Sequence, residues 1–227
     1  MNEVRNKIIS NFYKSNANLK IVSEISCKLR DLLFNKKILA IGFCENFLNL
    51  LEADELYYAV PESYELVRWP EIKPFASEKV DKHLISLRPC MWDVVMIIHY
   101  MEFSGKNLYL LSEISRILKN DGKLIVISVN KNNLNLLKNK SETKDVKFSL
   151  KEIISFIVNS SFSIKNILGI NKKFKFWPYS VSYNLNRYNE ILVNFYPLLS
   201  DVAMIIADKT EPDSETISPL KEQYEMT

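Results

Sequence analysis

Apolar residues along this chain occur in two patterns, and each predicts a different kind of element. Between Val4 and Phe34 they recur at helical spacing, first as Ile8, Ile9, Phe12 and Tyr13, then as Leu19, Ile21, Val22, Ile25, Leu29, Leu32 and Leu33, which predicts two N-terminal helices. Elsewhere they form short unbroken runs, Ile38 to Ile41 within Lys37 to Gly42, Val94 to Ile98 and Leu124 to Ile127. A half-exposed strand would alternate, so these runs predict strands of a parallel sheet covered on both faces.

The segments between the runs complete the pattern. Glu45 to Ala53 has helical spacing, and Leu56 to Val60 reads as a second strand stopped by Pro61, giving a β-α-β unit. A proline-punctuated stretch, Arg68 to Pro74, leads to a short strand or turn near Lys79 to Asp81. Asn107 to Leu118 is expected to be helical, with Lys119-Asn-Asp-Gly122 as its stop. Then follow a helix at Ser149 to Asn159, a strand at Phe162 to Leu168, a helix at Leu185 to Tyr196 and a strand at Val202 to Ala207. Residues 1–209 are thus expected to form one α/β domain, with its N-terminal helices in 1–35, and residues 210–227 a disordered acidic tail. In a doubly wound sheet the ligand site lies at the carboxyl ends of the strands, so function is sought after Ile41, Val60, Asp81 and Ile98.

Composition narrows the class. With 227 residues, 47% hydrophobic and 25% charged, the chain can bury a sizeable core. No apolar run is long enough to span a bilayer and Met1 to Ser10 is polar, so a cytoplasmic protein without a transmembrane segment is expected. The three cysteines, Cys27, Cys44 and Cys90, are far apart and form no CxxC pair, which points to neither a disulfide framework nor a metal site. Net charge is +3, and the tail holds five acids against one lysine, so the remainder weakly favours an anionic partner without a nucleic-acid signature. Only 4 glycines are present, which makes each informative.

Gly42, in Ile41-Gly-Phe-Cys-Glu45, stands where a glycine-rich turn would let the backbone approach a nucleotide-like ligand, although an isolated glycine at a strand end is also a plain turn. The segment Trp92-Asp-Val-Val-Met-Ile-Ile-His-Tyr-Met-Glu-Phe103, with Leu111-Ser-Glu-Ile-Ser-Arg-Ile-Leu-Lys-Asn-Asp-Gly-Lys-Leu-Ile125, is more specific. It resembles the "DxVxxxHxLEF … LLxExxRVLxPGGxLxI" block of the methyltransferase type 11 branch of class I S-adenosylmethionine-dependent methyltransferases. The chain also looks like a bacterial methyltransferase-like family through Phe12-Tyr13, Ala40 to Cys44, Arg68-Trp69-Pro70, and Val80-Asp81 with Leu84 to Leu87.

The resemblance, running from about Phe12 to Lys209, implies a Rossmann-like fold. Its seven-stranded, mostly parallel sheet would have an antiparallel last strand and helices on both faces. It implies S-adenosylmethionine over the ends of strands one to four, bordered by Gly42, Phe43, Cys44, Pro61, Glu62, Asp81, Lys82, Ile98 and His99. The departures are Ala40 before the glycine turn, Cys44 for its second glycine, and Pro61 where a carboxylate usually holds the ribose, with Glu62 one place late.

His99 matches the family's histidine and is a candidate proton acceptor, with a structural role as the other reading. Glu102 is a candidate partner for His99 or for a cationic substrate, or else opens the next helix. Asp81 meets the adenine amino group or caps a turn; Phe43 stacks on adenine or packs; Phe12 and Tyr13 form a lid or the buried face of a helix. Lys172 to Tyr179 mixes cations with aromatics and reads as a substrate loop or as a loop pinned by its rings. The resulting expectation is methyl transfer to an acceptor the sequence does not name. Its rival is a catalytically silent, interaction or weak nucleoside-binding module. On this reading Gly42→Val abolishes ligand binding without unfolding the chain, and His99→Ala lowers transfer more than binding.

Overall fold

The computed structural model describes residues 9, 13, 16–43, 47, 51, 53, 55–59, 65–69, 73–79, 87–103, 105, 107–130, 146–170, 200 and 202–210, without the side chains of 16–20, 65–69 and 73–79. Among them are three helices, α1 (Asn16–Leu33), α2 (Asn107–Ile117) and α3 (Leu150–Val158). The strands are β1 (Lys37–Gly42), β2 (Glu55–Ala59), β3 (Glu65–Trp69), β4 (Lys73–Lys79), β5 (Trp92–Ile98), β6 (Leu118–Val129), β7 (Phe162–Ile170) and β8 (Val202–Lys209).

All eight strands join one sheet in the order β4-β3-β2-β1-β5-β6-β8-β7. The three unbroken apolar runs are its centre. Ile38 to Gly42 pairs in parallel with Val94 to Ile98, and Val94 to Ile98 with Lys123 to Ile127, as their lack of alternation predicts. Successive side chains point to opposite faces. Ile38, Ala40, Val94, Met96, Ile98, Ile125 and Ile127 therefore enter one core, with Ile21, Val22, Ile25, Leu29 and Leu33 of α1. Leu39, Ile41, Val95, Ile97, Leu124 and Val126 enter the other, with Leu110, Leu111, Ile114 and Ile117 of α2 and Leu150, Ile153 and Ile157 of α3. Helices thus cover both faces.

Strand number is corrected. Six strands, β2, β1, β5, β6, β8 and β7, form the Rossmann-like body, with β8 antiparallel to both neighbours as expected of the last strand. Beyond β2, β3 and β4 extend the sheet by antiparallel pairing, in place of one further parallel strand, so the sheet is mixed rather than mostly parallel. The described parts of the proline-punctuated stretch, Arg68-Trp69 and Lys73-Pro74, are therefore strand. Pro74 is tolerated because β4 lies at the sheet edge, where a missing N–H need not break a ladder on both sides.

The helix does stop before Lys119, as expected, and residues 119–122 belong to the following strand. The chain passes from α2 straight into β6 at Leu118, which pairs with Trp92, and residues 119–122 bulge before Lys123 pairs with Val94. A Cβ on Gly122 would lie 2.8 Å from the Lys119 carbonyl oxygen, so the bulge requires glycine. α3 begins as its sequence suggests. Ser149 caps it, its main-chain N–H donating at 2.7 Å to Glu152 Oε2 in a capping box. The helix proposed at Leu185 to Tyr196, most of the first N-terminal helix and of Glu45 to Ala53, and the tail beyond Thr210 lie outside the described residues.

At the amino ends of the central strands Asp93 ties three of them together. Its Oδ2 accepts the main-chain N–H of Lys37 at 2.9 Å and its Oδ1 accepts Lys119 Nζ at 2.7 Å. Partial burial raises the Asp93 pKa, but the hydrogen bonds from Lys119 and the Lys37 N–H outweigh it and hold the carboxyl below the usual range. A depressed carboxyl contributes stability above the unfolded pKa, near 4, and loses that contribution as pH falls through the folded value. Asp93→Asn should lower the melting temperature by a few degrees at pH 7. That deficit should vanish in melts run well below pH 4; an undiminished deficit would assign the loss to packing instead.

Gly42 has φ +102°, and a Cβ built there would lie 2.3 Å from the Ile98 carbonyl oxygen. The glycine is therefore required by the approach of β1 to β5, whatever the ligand. The substitution Gly42→Val is consequently expected to destabilise the fold, where the sequence alone predicts an effect on binding only. The backbone conformation alone costs a β-branched residue about 1–3 kcal/mol. Thermal denaturation should show a loss of at least that size, and a variant that melts like the parent chain would contradict the packing described here.

Candidate active site

The carboxyl ends of β1, β2 and β5 meet at one place, because Gly42 is the register partner of Ile98 and Ile41 that of Ala59. The turn after β1 is held from within. Phe43 N–H donates to the Ile98 carbonyl at 2.9 Å, and the Tyr58 hydroxyl donates to the Gly42 carbonyl at 3.1 Å. Phe43 is half-buried and meets Phe103 edge to face, with ring centroids 6.1 Å apart. On the opposite face the half-buried Tyr100 adjoins Gly42, its Cβ 3.0 Å from where a glycine substituent would sit. The turn is thus flanked by two aromatic side chains.

His99 follows directly. Its main-chain N–H continues the ladder to the Ile127 carbonyl at 2.9 Å, but its φ is +49°. By strand alternation His99 would join Val95 and Ile97 on the α2 and α3 face. The left-handed backbone instead turns the imidazole against Tyr13 and Phe47, which belong to the α1-side core. Such a conformation costs a non-glycine residue roughly 1–3 kcal/mol, so the contacts made by the imidazole must offset it.

Those contacts are hydrogen bonds at both ring nitrogens. His99 Nε2 lies 2.5 Å from the Tyr13 hydroxyl and Nδ1 3.0 Å from Glu102 Oε1. The same Glu102 oxygen accepts the Val129 main-chain N–H at 3.1 Å, while the Glu102 carbonyl accepts Lys147 and Phe148 N–H groups at 2.8 and 3.2 Å. All three side chains are buried, His99 and Glu102 completely. Glu102 Oε2 has no hydrogen-bond partner among the described residues. Burial, and then the negative charge of Glu102, push the Tyr13 phenol well above its ordinary pKa, so it remains protonated. Glu102 does not open α2, which begins at Asn107. It sits in the preceding turn, closed by the Phe103 N–H on the Tyr100 carbonyl at 3.1 Å.

The fold therefore brings together Gly42, Phe43, Ile98, His99 and Glu102, and adds Tyr13. Cys44, Pro61, Glu62, Asp81 and Lys82 lie outside the described residues, as do Phe12 and Lys172 to Tyr179. Sequence reading did not single out Tyr58 and Tyr100. Tyr58 is hidden among the apolar residues of β2, and only the strand pairing shows its hydroxyl reaching the Gly42 carbonyl. Cys27 and Cys90 are exposed free thiols, and no described helix is long and apolar enough to cross a membrane.

No family model matches this chain, and no curated protein matches its sequence. Solved structures do share its fold. A methyltransferase dependent on S-adenosylmethionine from Thermotoga maritima superposes with a TM-score of 0.58 at 15% identity, over 92% of this chain and 100% of that one. Another from Aquifex aeolicus gives 0.57 at 14% identity, over 88% and 98%. The cyclase SpnF gives 0.54 at 12% identity, over 84% and 80%, so the same fold also supports other chemistry. The chain has the Rossmann-like α/β fold of the S-adenosylmethionine-dependent methyltransferases.

Proposed function

We propose that this chain binds S-adenosylmethionine at the carboxyl ends of β1, β2 and β5 and transfers its methyl group to an acceptor. The observation that carries the reading is the junction of Gly42, Phe43, Ile98 and His99 at the end of that parallel core. Phe43 and Tyr100 offer aromatic faces beside the turn, suited to an adenine ring. On the resemblance, Cys44, Pro61, Glu62, Asp81 and Lys82 complete the cofactor contacts. The type 11 branch and a bacterial, cytoplasmic setting belong to the same proposal.

S-adenosylmethionine supplies a methyl group on a sulfonium, whose displacement leaves a neutral thioether and needs no acid on the leaving side. The chain's task is consequently to hold the acceptor in line and to take its proton. His99 is the proposed proton acceptor, oriented by Glu102. With Pro61 in place of a ribose carboxylate, cofactor affinity should be lower. One charge-assisted hydrogen bond is worth about 1.5–3 kcal/mol, or roughly ten- to a hundredfold in binding.

A second reading has a specific observation behind it. His99 is wholly buried with both nitrogens engaged, as in a histidine that only closes a core. On that reading the chain is a catalytically silent interaction module.

Calorimetry decides between the two. The full chain should bind S-adenosylhomocysteine, and Phe43→Ala should weaken that binding roughly tenfold, the scale of one aromatic stack on a base, with little change in melting temperature. No heat at millimolar ligand would retire the enzyme reading in favour of the silent module.

His99→Gln suits the buried site better than His99→Ala, since it retains hydrogen-bonding groups beside Glu102. In assays on a panel of hydroxyl and amine acceptors it should depress methyl transfer more than cofactor binding. Equal losses in the two would make His99 structural.

A further inference from the structure

Tyr13, His99 and Glu102 are joined by hydrogen bonds at the carboxyl end of β5, and the Glu102 side fixes the direction in which they are polarised. At one end, Glu102 Oε1 already accepts the Val129 N–H at 3.1 Å. The acceptor role of that oxygen makes His99 Nδ1, 3.0 Å away, a donor. At the other end, the Tyr13 hydroxyl lies 2.5 Å from Nε2 and carries its proton, because burial and the charge of Glu102 disfavour the phenolate. With Nδ1 as the donor, Nε2 of the neutral imidazole offers its lone pair, and the hydroxyl is the donor that faces it.

We infer that Tyr13 is a positioning residue whose hydroxyl donates to His99 Nε2. With Glu102 at the opposite nitrogen, it fixes the imidazole as the Nδ1–H tautomer, with Nε2 the proton-accepting atom. This is the tautomer that free imidazole side chains in water favour less; the Glu102 carboxylate at Nδ1 selects it, and the Tyr13 hydroxyl at Nε2 reinforces it. Packing places Tyr13 accordingly. Its ring meets Phe47 edge to face at 5.5 Å, inside the core that also receives α1, so the N-terminal helical region contributes directly to the site.

The consequence for chemistry rests on the methyl-transfer reading. An acceptor X–H that takes the place of the Tyr13 hydroxyl meets Nε2 already unprotonated. Nε2 would take the proton of X–H as the acceptor gained the methyl group, the electron pair of the broken methyl–sulfur bond staying on sulfur. Glu102 then faces the resulting imidazolium through Nδ1–H. Tyr13 thereby marks the position of the acceptor's hydroxyl or amine.

The inference can be tested without cofactor. The chain contains 2 histidines, His83 and His99, so the full protein labelled with nitrogen-15 histidine gives two ring systems, which a His83→Gln variant assigns. Long-range proton–nitrogen correlation at neutral pH should show His99 with a protonated Nδ1 and an unprotonated Nε2. In Tyr13→Phe, which keeps the ring against Phe47 and removes only the hydroxyl, the Nε2 signal should move toward that of an unbonded pyridine-type nitrogen. Nδ1 should stay protonated.

An Nε2–H tautomer in the parent protein, a doubly protonated ring, or an unmoved Nε2 signal in Tyr13→Phe would overturn the inference. The parent spectrum decides even if the variant does not fold. Titrating S-adenosylhomocysteine into the same sample separates the two claims. A silent titration retires the methyl-transfer reading and leaves the tautomer assignment standing, whereas a wrong tautomer with a responsive titration does the reverse.

Discussion

The parallel pairing of β1 with β5, Ile38 to Gly42 against Val94 to Ile98, is the constraint on which the rest of the structure depends. Each of these strands sends side chains into both cores, so every residue from Ile38 to Ile41 and from Val94 to Ile98 is buried. Burying one such aliphatic side chain contributes about 1.5–3 kcal/mol, and a register slip of one residue would send every side chain to the opposite face. The pairing also brings the Gly42 backbone so near the Ile98 carbonyl that a Cβ would lie 2.3 Å from its oxygen. Because that approach tolerates no side chain, the end of β1 and the end of β5 are held in one relative position, and the candidate site inherits that position.

From the end of β5 a second set of interactions spreads outward. His99 adopts a left-handed backbone and crosses to the α1-side core, where Tyr13 and Phe47 receive it. Glu102 links the same imidazole to Val129 at the end of β6 and, through its carbonyl, to Lys147 and Phe148 ahead of α3. The hydrogen bonds that hold the His99 ring also join β5, β6, the approach to α3 and the N-terminal region, so the proposed proton acceptor is at the same time a structural group. Removing one partner should therefore disturb stability and chemistry together, so a spectroscopic reading of the ring is more discriminating than activity alone.

The fold by itself leaves reaction chemistry open, as the likeness to a cyclase shows. Methyl transfer asks little of a protein beyond alignment and a proton acceptor, so few glycines and Pro61 in place of a carboxylate are compatible with the proposed reading. The aromatic flanks Phe43 and Tyr100, and the His99 network, are what distinguish this site from a bare strand-end turn.

Sequence determined the central sheet. Unbroken apolar runs at Ile38, Val94 and Leu124 imply burial on both faces, and the capping pair Ser149 and Glu152 fixes the start of α3, because these signals depend on neighbours in the chain. The family resemblance also put Gly42, Phe43, Ile98 and His99 at one place. Only tertiary structure decided that Arg68 to Pro74 contributes to two added strands, since proline excludes a central strand but not an edge, and edge position is a property of the assembled sheet. Likewise the reason for Gly42 lies 56 residues away at Ile98, and the partner of His99 lies 86 residues away at Tyr13. Local pattern carries helix and strand; which polar groups meet inside the core is set by the sheet order and by a single residue with positive φ, and neither is written in any one segment.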